Sequence, residues 1–208
     1  MIALTSPLVW YSTRATGTVA LVLLTAAMVL GILTAVRAGS TALPRFAVSD
    51  LHRRVSLVAG IFVLLHVATA VVDTFVPLGW PSLVVPFTSH YRPFWVGTGT
   101  IAFDLLVAVT ATSLLRRRIG ARLWRVVHWA VYACWPVAVA HGIGTGTDLR
   151  FGWMQILVGT CCASVLAAAV ARVAVDPHRP GPEAGADPAR LVGSYRAAGR
   201  SIADGSRR

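Results

Sequence analysis

Five long apolar stretches limit what this chain can fold into: Thr16–Val36, Leu51–Val76, Phe94–Leu115, Trp124–Ile143 and Gly152–Val175. Each reaches the ~20 residues that a helix needs to cross a hydrocarbon core of about 30 Å. Lipid offers backbone amides no partner, so a spanning segment must be a helix or a strand of a closed barrel. No stretch shows the short apolar–polar alternation of a membrane barrel strand. The sequence therefore predicts an all-α, polytopic membrane helix bundle with about five transmembrane helices. Composition agrees: 56% of the 208 residues are hydrophobic and 13% charged, against about 25% charged in an ordinary soluble domain. Mean hydropathy is +0.68. The first stretch is read as a span rather than a cleaved signal, because its apolar run is long and a single Arg precedes it.

The formal charge of +11 comes from 19 basic residues, all of them Arg. Nucleic-acid binding would gather such charge on one soluble face. Here the Arg residues fill gaps between apolar stretches. Arg37 and Arg45 lie in the first gap, with Arg53 and Arg54 opening the second stretch. Arg116, Arg117, Arg118 and Arg122 lie in the third gap, with Arg125 just beyond, and seven more run from Arg172 to the end. The second gap holds only Arg92, and the fourth only Arg150, offset by Asp148; Arg14 alone precedes the first stretch. Rich and poor gaps alternate, so the positive-inside rule places the C-terminus in the cytoplasm and the N-terminus outside. Residues 1–175 form the bundle. Residues 176–208 read as a disordered basic tail beside anionic lipid. The outward gap Pro77–Pro93, rich in Pro and aromatic residues, is expected to rest at the interface.

Ionisable side chains inside spans are expensive and tend to be functional. Four of the six His fall in two spans: His52 and His66 in the second, His128 and His141 in the fourth. The first pair is 14 residues apart and the second 13, which is ~20 Å along a helix in each case. Both helices run in the same direction, so His52 stands level with His128, and His66 with His141. Facing His on neighbouring helices can hold a haem iron from both sides. Helical phase agrees less well. His66 returns to within about 40° of His52, whereas His141 stands about 140° from His128 at 100° per residue. Pro136, between the latter two, can bend or rotate that helix. Each level offers two ligands only, too few for another metal. A proton relay would need polar groups between the levels, where Val, Leu, Ala and Phe prevail.

These residues carry a resemblance. The stretches Leu51-His-Arg-Arg-Val-Ser-Leu…Leu65-His66 and Trp124-Arg-Val-Val-His128-Trp…His141-Gly resemble the ferric-reductase-like transmembrane domain, over roughly residues 10–175. That family includes the membrane halves of NADPH oxidases and ferric-chelate reductases, and the haem subunit of the bacterial periplasmic methionine sulfoxide reductase system. The resemblance implies two b-type haems, an inner one on His52 and His128 and an outer one on His66 and His141, with one haem as the lesser expectation. It implies transmembrane electron transfer in a bacterial plasma membrane, from a cytoplasmic flavin reductase or quinol to an extracytoplasmic acceptor. Flavin and nicotinamide are expected only through a partner, since the sequence shows no glycine-rich dinucleotide motif. The family's larger members carry six spans where five are expected here.

Haem propionates favour Arg, which makes Arg53 and Arg125 candidates at the inner level. Asp104, in the middle of the third span, is expected to be hydrogen-bonded or next to a cofactor. Cys134, Cys161 and Cys162 read as small buried packing residues. The Trp residues at span ends suit an interfacial belt, and the Gly and Ala within the helices suit close packing. The competing reading is a cofactor-free transporter or channel, or an assembly protein, in which the His merely pack.

Overall fold

The computed structural model describes residues 7–35, 44–73 and 78–174, without the side chains of Arg45 and Leu149. The expected tail at 176–208, Arg37 and Pro77 lie outside the described residues. The helices are α1 (Pro7–Ala35), α2 (Arg45–Val72), α3 (Pro93–Leu114), a short α4 (Arg116–Ile119), α5 (Ala121–Trp129), α6 (Val131–Thr145) and α7 (Gly152–Ala174). Among the described residues there is no strand. Five spans are long and apolar enough to cross a membrane: α1, α2, α3, α5 with α6, and α7. The all-α expectation holds.

The first helix begins nine residues earlier than its hydropathy suggests. Its opening turns are rich in hydroxyls, and those hydroxyls bond back to the helix itself. Thr13 donates to the carbonyl of Val9 at 3.0 Å, Thr16 to Ser12 at 2.7 Å and Thr18 to Arg14 at 2.9 Å. Polar side chains satisfied this way do not interrupt a helix.

Helices α1 and α2 pack as one pair and α3 and α6 as another, with α1 also touching α6. Ala20, Ala27, Ala59 and Ala102 are buried, so small residues let the backbones approach closely. Met28 and Ile32 of α1 meet Ala168 and Val165 of α7 and Val131 and Trp135 of α6. Two polar ties cross this core: Trp135 Nε1 donates to Thr25 Oγ1 at 3.1 Å, and the Cys134 thiol to the Ala102 carbonyl at 3.3 Å. All three cysteines are free thiols. Cys134 and Cys161 are buried as expected, whereas Cys162 is exposed, because its neighbour already takes the inward position and adjacent helical residues face about 100° apart.

The fourth span breaks at Ala130. Its amide donates to Val127 O at 3.0 Å, a tightened turn, and α6 restarts at Val131 with Pro136 inside it. Proline cannot donate to the carbonyl four residues back, which weakens the ladder next to the break. Between α2 and α3 the chain folds back onto the bundle. A 3₁₀ turn at Trp80–Leu83 is pinned by Thr100, whose hydroxyl donates to Ser82 O at 2.6 Å. Phe87 stacks on Phe94 at 6.2 Å and fills the space beside Gly97. Arg92 takes a left-handed φ of 41° and donates to Gly144 O at 2.6 Å, tying α3 to α6. Trp80 and Val84 of this segment point outward.

Candidate functional site

The four span histidines meet in two pairs. His52 of α2 faces His128 of α5 with ring centroids 6.5 Å apart and planes at 83°. His66 of α2 faces His141 of α6 at 6.2 Å and 77°. The break at Ala130 makes the second partnership possible. Thirteen residues fall short of four regular turns, and a tightened turn overwinds the helix in the direction that closes the shortfall.

How the rings are held is more informative than their separation. Nδ1 of His66 lies 2.9 Å from Thr13 O, Nδ1 of His52 2.9 Å from Ala27 O, and Nδ1 of His141 2.8 Å from Trp95 O. A carbonyl can only accept, so Nδ1 is the donor in all three. Neutral imidazole then keeps its lone pair on Nε2, the nitrogen left for a metal. A backbone acceptor behind a ligating His is the usual way to fix its tautomer and orientation.

Each of these carbonyls has a glycine four residues further along the same helix. A side chain there would point back over the carbonyl. A Cβ on Gly17 would come within 2.9 Å of the His66 ring, on Gly31 within 3.2 Å of His52, and on Gly99 within 2.5 Å of His141. Three glycines that read as packing residues in the sequence are therefore notches that admit the rings. The signal for them was the 14-residue step from Gly17 to Gly31, equal to the step from His52 to His66.

His128 departs from the pattern. Its Nδ1 is buried and has no hydrogen-bond partner among the described residues. Its ring instead stacks on Trp124, 5.0 Å away with 28° between planes.

Around His66 and His141 lies a cavity of about 370 Å³, lined by α1, α2, α3, α6 and the segment before α3. Its size falls within the usual range for cofactor pockets, about 300–1,000 Å³. Arg14 lines it, pairs with Asp148, donates to Thr147 and lies over the Trp10 ring at 4.2 Å. Sequence reasoning treated Arg14 as a topology marker only, because the expected span began after it. Arg53 and Arg125 are exposed at the opposite end of the bundle, next to His52 and one turn before His128. Asp104 departs from expectation. It is exposed on α3 and makes no hydrogen bond or ion pair among the described residues. The inward face of α3 is set by Gly99, Thr100, Ala102 and Val109, and Asp104, about 140° round from Gly99 at 100° per residue, falls outside that arc. Among the described residues no three His, Cys, Asp or Glu side chains cluster as a metal site.

The model of the family described as ferric reductase like transmembrane component matches residues 16–139. The chain belongs to that family. The match contains His52, His66 and His128 and stops two residues short of His141. No curated protein and no solved structure matches the chain. The ferric-reductase-like assignment and the five apolar helices together make it a multi-pass membrane protein whose helices contact lipid.

Proposed function

We propose that this ferric-reductase-like chain passes electrons across a bacterial plasma membrane through two b-type haems. His52 and His128 would hold one, and His66 and His141 the other. The observation that carries this reading is the two imidazole pairs, with three of the four rings held lone pair forward. Two metal–nitrogen bonds of ~2 Å and two half-rings of ~1 Å put centroids about 6 Å apart, and the observed separations are 6.5 and 6.2 Å. Two ligands per level suit an iron whose remaining positions a porphyrin already fills.

Bound haem supplies one-electron redox chemistry by alternating ferric and ferrous iron. The chain's own residues do the rest. Thr13, Ala27 and Trp95 hold three rings in the ligating tautomer through their carbonyls. Apolar residues between the levels keep water out. Arg14 is placed to meet an anionic propionate in the His66/His141 cavity, and Arg53 and Arg125 are offered to the other haem.

Arg53 and Arg54 of α2, Arg116, Arg117 and Arg118 of α4, and Arg122 and Arg125 of α5 support a cytoplasmic His52/His128 level, where a flavin reductase or quinol would donate. The His66/His141 level would then serve an acceptor outside. The test is haem retention in single His→Ala variants. His66→Ala and His141→Ala should each remove the same haem, and His52→Ala and His128→Ala the other, taking about two haems per chain to about one. Full retention in all four variants would defeat the reading.

A further inference from the structure

The anchoring of the four rings repeats with a step of 14 residues, and the repeat fails at one place. On α1, Thr13 and Gly17 serve His66, and Ala27 and Gly31, each 14 residues on, serve His52. On α3, Trp95 and Gly99 serve His141. Fourteen residues on from these stand Val109 and Ser113. The Val109 carbonyl is the acceptor that symmetry assigns to His128, and Ser113 stands where the other three sites have glycine.

The Val109 carbonyl accepts from Ser113 Oγ at 2.7 Å and from Thr112 Oγ1 at 3.1 Å, and the Ser113 side chain stands over it where glycine leaves the other three carbonyls open. Trp124 connects the two groups. Its Nε1 donates to Ser113 Oγ at 3.3 Å while its ring stacks on His128. The buried Nδ1 of His128 is left with no partner among the described residues. Thr13 O and Trp95 O also accept a threonine hydroxyl, from Thr16 at 3.1 Å and Thr98 at 2.7 Å, and still face a ring, so what sets the fourth site apart is the Ser113 side chain, held by Trp124, at the glycine position.

We propose that Ser113 is a positioning residue that withholds the Val109 carbonyl from His128 and so raises the reduction potential of the haem held by His52 and His128. The inference rests on the haem reading above. A hydrogen bond from Nδ1–H to a carbonyl pushes electron density towards Nε2 and makes the ligand more basic. A more basic ligand favours ferric iron, so removing that bond favours the ferrous state. A bond of ordinary strength changes an equilibrium by about tenfold. For a one-electron couple that is about 59 mV.

The test is a redox titration of the detergent-purified full chain, followed by the haem absorption bands. Ser113→Gly should lower one of the two midpoints by about tenfold in the reduction equilibrium and leave the other unchanged. Ser113→Ala should move it less, because its Cβ still overhangs the carbonyl. Gly31→Ser puts the same side chain over Ala27 O, with a 3.2 Å Cβ contact to the His52 ring, and should raise the same midpoint. These opposite signs are not expected of a merely structural role. Unchanged midpoints, shifts of equal sign, a rise in Ser113→Ala, or loss of that haem in both Ser113→Gly and Gly31→Ser would overturn the proposal. Unsubstituted protein without haem would sink the underlying reading instead.

Discussion

Four imidazoles are expensive in an apolar bundle unless their nitrogens have partners. Three of them answer that cost with a backbone carbonyl, and a glycine keeps each carbonyl open. The notch is tightest at Gly99, where a Cβ would sit 2.5 Å from both Nδ1 and Cε1 of His141. Gly99→Ala should therefore displace the ring and reduce haem from about two to about one per chain. Gly60→Ala on α2, where a Cβ meets nothing within 4 Å, should retain both; equal retention in the two variants would refute the notch. The histidines were legible from sequence because their spacing matches across two helices. The notches were not, because glycine in a membrane helix is already explained by close packing, and only the ring beside it shows a second role.

At the scale of helices, hydropathy located all five spans and misplaced their ends. The start of α1 was hidden because Ser12, Thr13 and Arg14 read as polar, although the Thr13 hydroxyl bonds within the helix. That error concealed Thr13 and Arg14, both at the His66/His141 cavity. The phase conflict between His128 and His141 was visible in the sequence, and so was Pro136. The position of the break, at Ala130, follows from tertiary packing and could not be read locally. Asp104 illustrates the limit of depth without phase: mid-span position suggested proximity to the cofactor, yet α3 turns it outward. Asp104→Asn should leave haem content and the absorption spectrum unchanged, as checked on purified protein. Loss of a haem would show that the carboxylate reaches the site.

For the molecule as a whole, the Arg distribution distinguishes the two imidazole levels. The described end with Arg53, Arg116, Arg117, Arg118, Arg122 and Arg125 is the His52/His128 end, and the other carries Arg14, Arg92 and Arg150. The topology predicts that Arg117→Cys reacts with a membrane-impermeant thiol reagent only after the cytoplasmic face is opened. His90→Cys, exposed in the segment before α3, should react in intact cells, and the reverse pattern would invert the direction of electron flow. Both variants need the native thiols Cys134, Cys161 and Cys162 as an unlabelled background. The central claim is that the two imidazole pairs bind haem, and it is tested most directly by a dithionite-reduced minus oxidised absorption spectrum of the purified chain, with haem measured per polypeptide. The account predicts a sharp low-spin b-type spectrum and about two haems per chain. Protein expressed with ample haem that shows no such spectrum would contradict it.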